Sequence, residues 1–550
     1  MTVNVKSVSI SFLFYIFLAV FVVFPLLSLI FTSLYGAPVN VIFLFSKKYT
    51  SSLSFKYYGE IFSNSYYIHS FYDSIILGIV STLTSMLIAL PIAYGFSRTT
   101  MKLKNPIRTL LMTGLAVPSF IITYDLIIFT TEMYHLSFTI YSMVGLIIVM
   151  TISFVPFMVM YSVLAFDQID YRLIEAAKAN GAPNWYISLR ITFPLLLQGL
   201  YSGIIVVFLL SIGSLSVPLL LAPTSFPILT SSAYTELFSY SNFGLSTAML
   251  TLLLLVSFAA IILYTVATRK SYATVGGKGF HTKLNDNKIV TFGLTIYSFL
   301  VALLPVMEVF ILAMTAFSSR WVGTFFPTSY TLSNFSTAFS IYPHSLYSTL
   351  ILVSVSTIAA VGTSFGAVYG SRIHMILGKR VTDVMVLLIF SLSNVVIGLS
   401  YLVFFSNTYT GFLVTTIPFA VIMGYTFARI GYSFRAVSVN MDTLSNSLLE
   451  AGMVMAPNKS SYFSKVVTPM IIPGLIEGFL VVFVRSSIDY GSTIFLAPYN
   501  WTTLSLASFS YISTGELALG ASVALIILAI TIPITVVLYF IRGKNFEIMH

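Results

Sequence analysis

Glu175, Pro194 and Pro223 recur as Glu450, Pro469 and Pro498, each pair 275 positions apart in a chain of 550 residues. The same offset relates Asp167 to Asp442, Gly199 to Gly474, and Leu221-Ala222-Pro223 to Leu496-Ala497-Pro498. Outside this stretch, Ser70 and Tyr72 match Ser345 and Tyr347, and Tyr94-Gly95 matches Tyr369-Gly370. An offset of half the chain, held without gaps over this length, marks a duplicated unit. Whatever fold one half adopts, the other must be able to adopt it too.

The medium in which that unit folds follows from its apolar runs. Stretches of roughly 20 apolar residues recur throughout, the length a helix needs to cross about 30 Å of hydrocarbon. Hydrophobic residues make up 57% of the sequence and charged residues 8%, too few polar side chains to coat a soluble globule. The runs lack period-2 alternation, so they read as helices, which satisfy their own backbone groups where water is absent. The expected architecture is an all-α polytopic membrane protein of about twelve transmembrane helices. The spans lie near 9–32, 73–97, 107–130, 139–165, 195–221 and 243–267, then near 291–316, 347–371, 383–404, 412–434, 470–496 and 516–541. The first run, about Val8 to Leu34, is longer than a signal-peptide core and reads as a span.

Six spans per half return the chain to its starting side, so the halves form a parallel repeat about an axis along the membrane normal. We place the first half at 1–267, a polar Gly-rich linker at 268–290 and the second half at 291–550. Pro25 and Pro305 fall in the first span of each half, 280 positions apart, so the register slips before the second span.

The net charge of +10 is accounted for by position. With both termini in the cytoplasm, the inside loops collect Arg98, Lys102, Lys104 and Arg108, then Lys178 and Arg190, and the basic linker. In the second half they collect Arg372, Lys379 and Arg380, then Arg435, Lys459 and Lys465. The outside segments hold Lys47, Lys48, Lys56 and Arg320. This is the positive-inside pattern of a plasma-membrane protein, and it points away from nucleic acid as a partner. With no cysteine, disulfides, thiolate metal sites and cysteine nucleophiles are excluded. The six histidines are scattered without ligand spacing, and no metal site is expected from them.

The repeated unit contains a polar loop after the fourth span, near 167–194 and again near 442–469. In the first copy Asp167 or Asp170 can cap a short helix through Glu175 and Ala177, which Gly181 can close. Pro183-Asn184 then starts a second helix leading through Pro194 into the next span. The small residues Ala176, Ala177 and Ala179 leave a thin face that another surface can approach, in the manner of a helix presented to a groove.

Glu175-Ala176-Ala177, Gly181 and Pro194 resemble the Glu-Ala-Ala loop of the membrane subunits of ATP-binding-cassette importers. In the second copy Glu450-Ala451-Gly452 is followed by Ala456 where the family has Gly, and Pro457-Asn458 can make the turn instead. The resemblance implies that Glu175, Ala176, Ala177, Gly181, Glu450, Ala451, Gly452 and Ala456 belong to two coupling helices. These would dock two ATP-binding subunits on the cytoplasmic side. It also implies an extracellular solute-binding protein. Two permeases are fused here, as in importers of ferric iron and thiamine, which makes ferric iron the first cargo expected by resemblance. The chain has no Gly-x-x-x-x-Gly-Lys-Ser/Thr loop, and Gly276-Gly277-Lys278-Gly279 is only linker. ATP and magnesium are therefore expected in partner subunits, with no cofactor in this chain and no enzyme activity of its own.

Glu308, Glu477, Arg485 and Asp489 fall inside expected spans, where ionisable groups usually face a bundle interior or a pore. Arg485 and Asp489 are four apart, so one reading is an internal ion pair that neutralises itself. The other is a charged lining of a translocation path, one-sided because the first-half counterparts are Leu210 and Ser214. Glu308 has no partner nearby in sequence. Tyr57-Tyr58 and Tyr66-Tyr67 read as interfacial anchors.

A secondary transporter driven by an ion gradient would also fit twelve spans in two parallel halves. It would leave the repeated polar loop without a purpose. A membrane-embedded enzyme would need a Ser/His/Asp, metal or paired-carboxylate constellation that the sequence does not offer.

Overall fold

The computed structural model describes residues 16–43, 53–130, 140–222, 226–268, 287–321, 324, 326–373, 378–406, 411–442, 454, 455, 458, 462 and 468–542. Helix dominates the described residues, and the strands Ser318–Arg320 and Ser329–Tyr330 form a small antiparallel hairpin. The first half contains α1 (Ile16–Tyr35, opening with a π turn), α2 (Ser65–Arg98), α3 (Lys104–Thr113) and α4 (Ser119–Ile128). It continues with α5 (Met143–Asp167), α6 (Tyr171–Ala179), α7 (Asn184–Ile212, with a π turn at Ser188–Thr192) and α8 (Phe243–Thr268). The second half contains α9 (Lys288–Ala316), α10 (Ser345–Ile373), α11 (Gly378–Phe390), α12 (Asn394–Phe405), α13 (Phe419–Asp442), α14 (Thr468–Ser487) and α15 (Leu517–Arg542).

By length and composition eight of these helices can cross a membrane, and two bent pairs raise the number to ten. α13 and α14, at the expected spans 412–434 and 470–496, are not among these. Eight to ten spans are roughly consistent with the expected twelve. The expected linker falls mostly in residues 269–286, which lie outside them.

Local chemistry sets the starts of the spans. Asn64 accepts from the Tyr66 N–H to open α2, Ser142 from Gly145 to open α5, and Asn287 from Ile289 and Val290 to open α9. Each satisfies donors that a first helical turn leaves over. Two spans break in the middle. α3, extended by a 3-10 turn to Ala116, meets α4 at 97°, and the Val381–Phe390 part of α11 meets α12 at 93°. Pro118 opens α4 and Ser393 opens α12, again 275 positions apart.

The repeat reappears in the packing. α5 lies on α2 and α7, and α13 lies on α10 and α14. Gly199 and Gly203 let α7 approach α5 so closely that a Cβ at Gly199 would sit 2.6 Å from the Ala165 Cα. Gly474 and Gly478 do the same for α14 on α13, where a Cβ at Gly474 would sit 2.7 Å from the Ala436 carbonyl oxygen. Between helices in lipid, such small-residue seams supply the close van der Waals contact that holds spans together.

The first span of each half crosses over to the other half. α1 packs on α12, where the Asn40 side chain donates to the Phe404 carbonyl at 2.5 Å and the Tyr401 hydroxyl donates to the Phe21 carbonyl. α9 packs on α3 and α2, and the Tyr297 hydroxyl donates to the Ile88 carbonyl at 3.2 Å. The largest buried apolar cluster accordingly runs through both halves, from Leu18 to Leu528. On the outer faces Leu87, Leu263 and Phe292 stay exposed, as lipid-facing side chains do.

Candidate functional site

Two places collect the residues that the sequence singles out: the loop between α5 and α7, and the boundary between the halves.

In the loop, Asp170 caps α6. Its carboxylate accepts from the Arg172 N–H at 2.9 Å and from the Arg172 guanidinium at 2.7 Å. The side-chain hydrogen bonds from Arg172 hold this exposed carboxyl below the usual aspartate range. Asp167 instead ends α5. Gly181 closes α6 with φ of +77°, while its N–H donates to Lys178 and the Ala182 N–H reaches back to the Ala177 carbonyl at 3.0 Å. This is the left-handed helix stop that favours glycine. Pro183 then starts α7.

The result is a helical corner with Glu175 and Ala176 exposed and Ala177 half-buried. Beside them Leu173, Trp185 and Tyr186 are exposed, Trp185 by 65%. Glu175 therefore stands among exposed aromatic and aliphatic side chains. The second-copy residues Glu450, Ala451, Gly452 and Ala456 lie outside the described residues.

At the boundary, the breaks α3–α4 and α11–α12 face a cavity of about 150 Å³. Its wall includes Ser119 and Phe120 at the start of α4, Ser393 and Asn394 at the start of α12, and Ser214. The Ser393 hydroxyl donates to the Gly213 carbonyl across the boundary at 3.0 Å. Three charged residues reach this wall, all from the second half: Arg429, Arg485 and Asp489.

The expected pair Arg485–Asp489 does not form. α14 ends at Ser487, so Asp489 lies past the helix and off the face that an i, i+4 partner would share. Asp489 pairs with Arg429 at 2.6 Å, and both side chains are almost wholly buried. It also accepts from Asn394 at 2.9 Å and from the Ser492 N–H and hydroxyl. Arg485 lies over two rings instead, 5.4 Å from the Phe157 centroid and 5.9 Å from that of Tyr432.

A second cavity of about 350 Å³ shares Phe157, Tyr432 and Arg485 with the first and contains Glu477 in its wall. Glu308 lines neither. It is buried in α9 within electrostatic range of Asp125 of α4, whose two carboxylate oxygens have no hydrogen-bond partner. Glu308 thus has an acidic neighbour that its sequence position does not reveal.

Sequence reasoning missed Arg429 and Asp125. Both fall within expected spans, so the criterion that selected Glu308 and Arg485 would have found them. Among the described residues no three His, Cys, Asp or Glu side chains gather as a metal site would need.

Residues 85–271, which contain α4, the α6 corner and one side of the cavity, match the family of binding-protein-dependent transport system inner membrane components. That stretch is similar to the membrane component of such systems. Curated relatives extend the likeness into the second half. The chain is 24% identical over 421 residues to a ferric transport system permease protein of Actinobacillus pleuropneumoniae, covering 73% of this chain and 58% of that one. It is 26% identical to a putative ferric transport system permease protein of Haemophilus influenzae, covering 65% of this chain and 57% of that one. A probable molybdenum transporter permease of Haloferax volcanii is 28% identical, over 28% of this chain and 60% of its own. The alignments therefore span less than two thirds of the ferric relatives' length. The match and the fold agree on a multi-pass membrane protein similar to the permease components of binding-protein-dependent transport systems.

Proposed function

We propose that this permease forms the alternating-access pathway of an ATP-dependent, binding-protein-dependent importer, with its α5–α7 corner docked on an ATPase subunit inside the cell. The observation that carries the reading is the exposure of Glu175 among Leu173, Trp185 and Tyr186. This surface stands on a corner fixed by the Asp170 cap and the Gly181 turn, and α7 leads directly from it to the cavity at the boundary of the halves. A push on the corner is transmitted along that helix. ATP-driven closure of the partners shifts the permease between its two openings because the partners bind those openings differently.

The second loop, with Glu450, Ala451, Gly452 and Ala456, docks a second ATPase subunit in this scheme. The division at 268–290 and the orientation with both termini inside belong to the same proposal. ATP and magnesium stay in the partners, and a solute-binding protein delivers cargo from outside. The names of the two ferric relatives support ferric iron as that cargo.

Affinity purification of the tagged chain in mild detergent tests the reading. An ATPase subunit is expected to co-purify at about two per chain. Glu175→Lys places a cation in the docking face and should reduce recovery severalfold without lowering the amount of inserted permease. Unchanged recovery in that variant refutes the docking role. Purification alone, with uptake driven by an ion gradient, refutes the importer.

A further inference from the structure

We infer that the cavity between the halves is an anion site, and that the cargo crosses this permease carrying net negative charge; the second clause rests on the importer reading above. Three independent features of the wall point the same way. The first is charge. Asp489 is saturated by Arg429, Asn394 and Ser492. Arg485 has no carboxylate within ion-pair distance among the described residues, and its guanidinium is held over the faces of Phe157 and Tyr432. The charged wall residues thus leave one positive charge over, in a setting drier than water, where an ion pair gains strength. Aromatic faces steady a guanidinium without neutralising it.

The second feature is the pair of broken spans. α4 and α12, of 10 and 12 residues, both begin at the cavity wall. α4 starts on Pro118, which provides no side-chain cap, so its first N–H groups have no side-chain acceptor. Helix starts carry partial positive charge and spare donors, and discontinuous spans in transporters use them to hold anionic groups.

The third is Tyr490. It lies in the wall, 3% exposed and packed on Phe120 and Phe509, and its hydroxyl has no hydrogen-bond partner. Buried hydroxyls are normally satisfied, so a wall residue holds an unused donor beside the cavity.

A guanidinium, the uncapped start of α4 and a free hydroxyl are donors. A bare multivalent cation finds no counter-charge here, because the one acid in the wall is already taken. The site suits an oxygen-bearing anion, either a free oxyanion or a ferric ion wrapped in anionic ligands. Leu210 and Ser214 replace Arg485 and Asp489 in the first half, so the duplicated scaffold provides one such site.

Equilibrium binding to the purified chain tests the site without its partners, using labelled sulfate, phosphate, molybdate and ferric citrate as probes. At least one should bind saturably. Arg485→Gln should weaken that binding at least tenfold, Arg485→Lys by less than threefold, and Tyr490→Phe, which keeps the ring packing, by about threefold. Competition between sulfate and ferric citrate separates the free oxyanion from the ferric complex. Binding by none of the four, or binding unchanged in Arg485→Gln, overturns the anion site. Loss of ATPase co-purification would bear on the importer reading alone, since anion binding is read on the isolated chain.

Discussion

Arg429 and Asp489 face each other at 2.6 Å in the second half, both nearly out of contact with solvent. The Arg429 guanidinium also donates to the Asn394 side chain at 3.3 Å. The pair therefore joins α13, the start of α12 and the segment after α14 into one polar knot at the cavity wall.

Removing one partner of a buried pair leaves an uncompensated charge, at a cost of about 3–5 kcal/mol. Asp489→Asn is expected to lower the thermal midpoint of the detergent-solubilised protein strongly. The double replacement Arg429→Leu with Asp489→Leu should lower it less, because no charge is then left alone. Equal losses in the single and double variants would show that the pair does not act as a unit.

The seam at Gly199 makes a second prediction. Its missing Cβ would lie 2.6 Å from the Ala165 Cα, a backbone atom that cannot rotate away. Gly199→Ala must therefore push α7 from α5, at a cost of about 1–3 kcal/mol. Gly181→Ala offers a contrast. Open space surrounds that position, and the expected penalty of about 1–2 kcal/mol comes from the left-handed backbone alone. Hydrogen exchange should show fraying confined to Tyr171–Ala179 in Gly181→Ala, and faster exchange through α5 and α7 in Gly199→Ala.

The crossing of the first spans yields a third. α1 is fixed to α12 by Tyr401, the segment after α1 by Asn40, and α9 to α2 by Tyr297. Co-expressed halves, divided within residues 269–286, should copurify through a single tag, even in high salt, because the interface is mostly apolar. Truncating the first half before Val41 removes α1 and should sharply reduce recovery of its partner.

The sequence by itself determined what is local or repeated. Apolar runs of span length force helices, because lipid offers the backbone no other partner. The 275-residue offset specifies two copies of one packing unit, and the Gly199 and Gly474 seams obey it. Asp170 and Gly181 mark the ends of α6 through cap chemistry that needs only neighbouring residues. Tertiary structure decided the pairings that depend on where helices stop and what they meet. The i, i+4 rule for Arg485 and Asp489 presumes a helix that continues, yet α14 ends at Ser487, and Asp489 takes an arginine 60 residues earlier in the chain. Asp125 and Glu308 come together because α9 crosses to the first half. Nothing in an apolar span states which of several similar faces it will cover. That choice is made by a few side-chain donors and small-residue contacts that exist only once the halves have met.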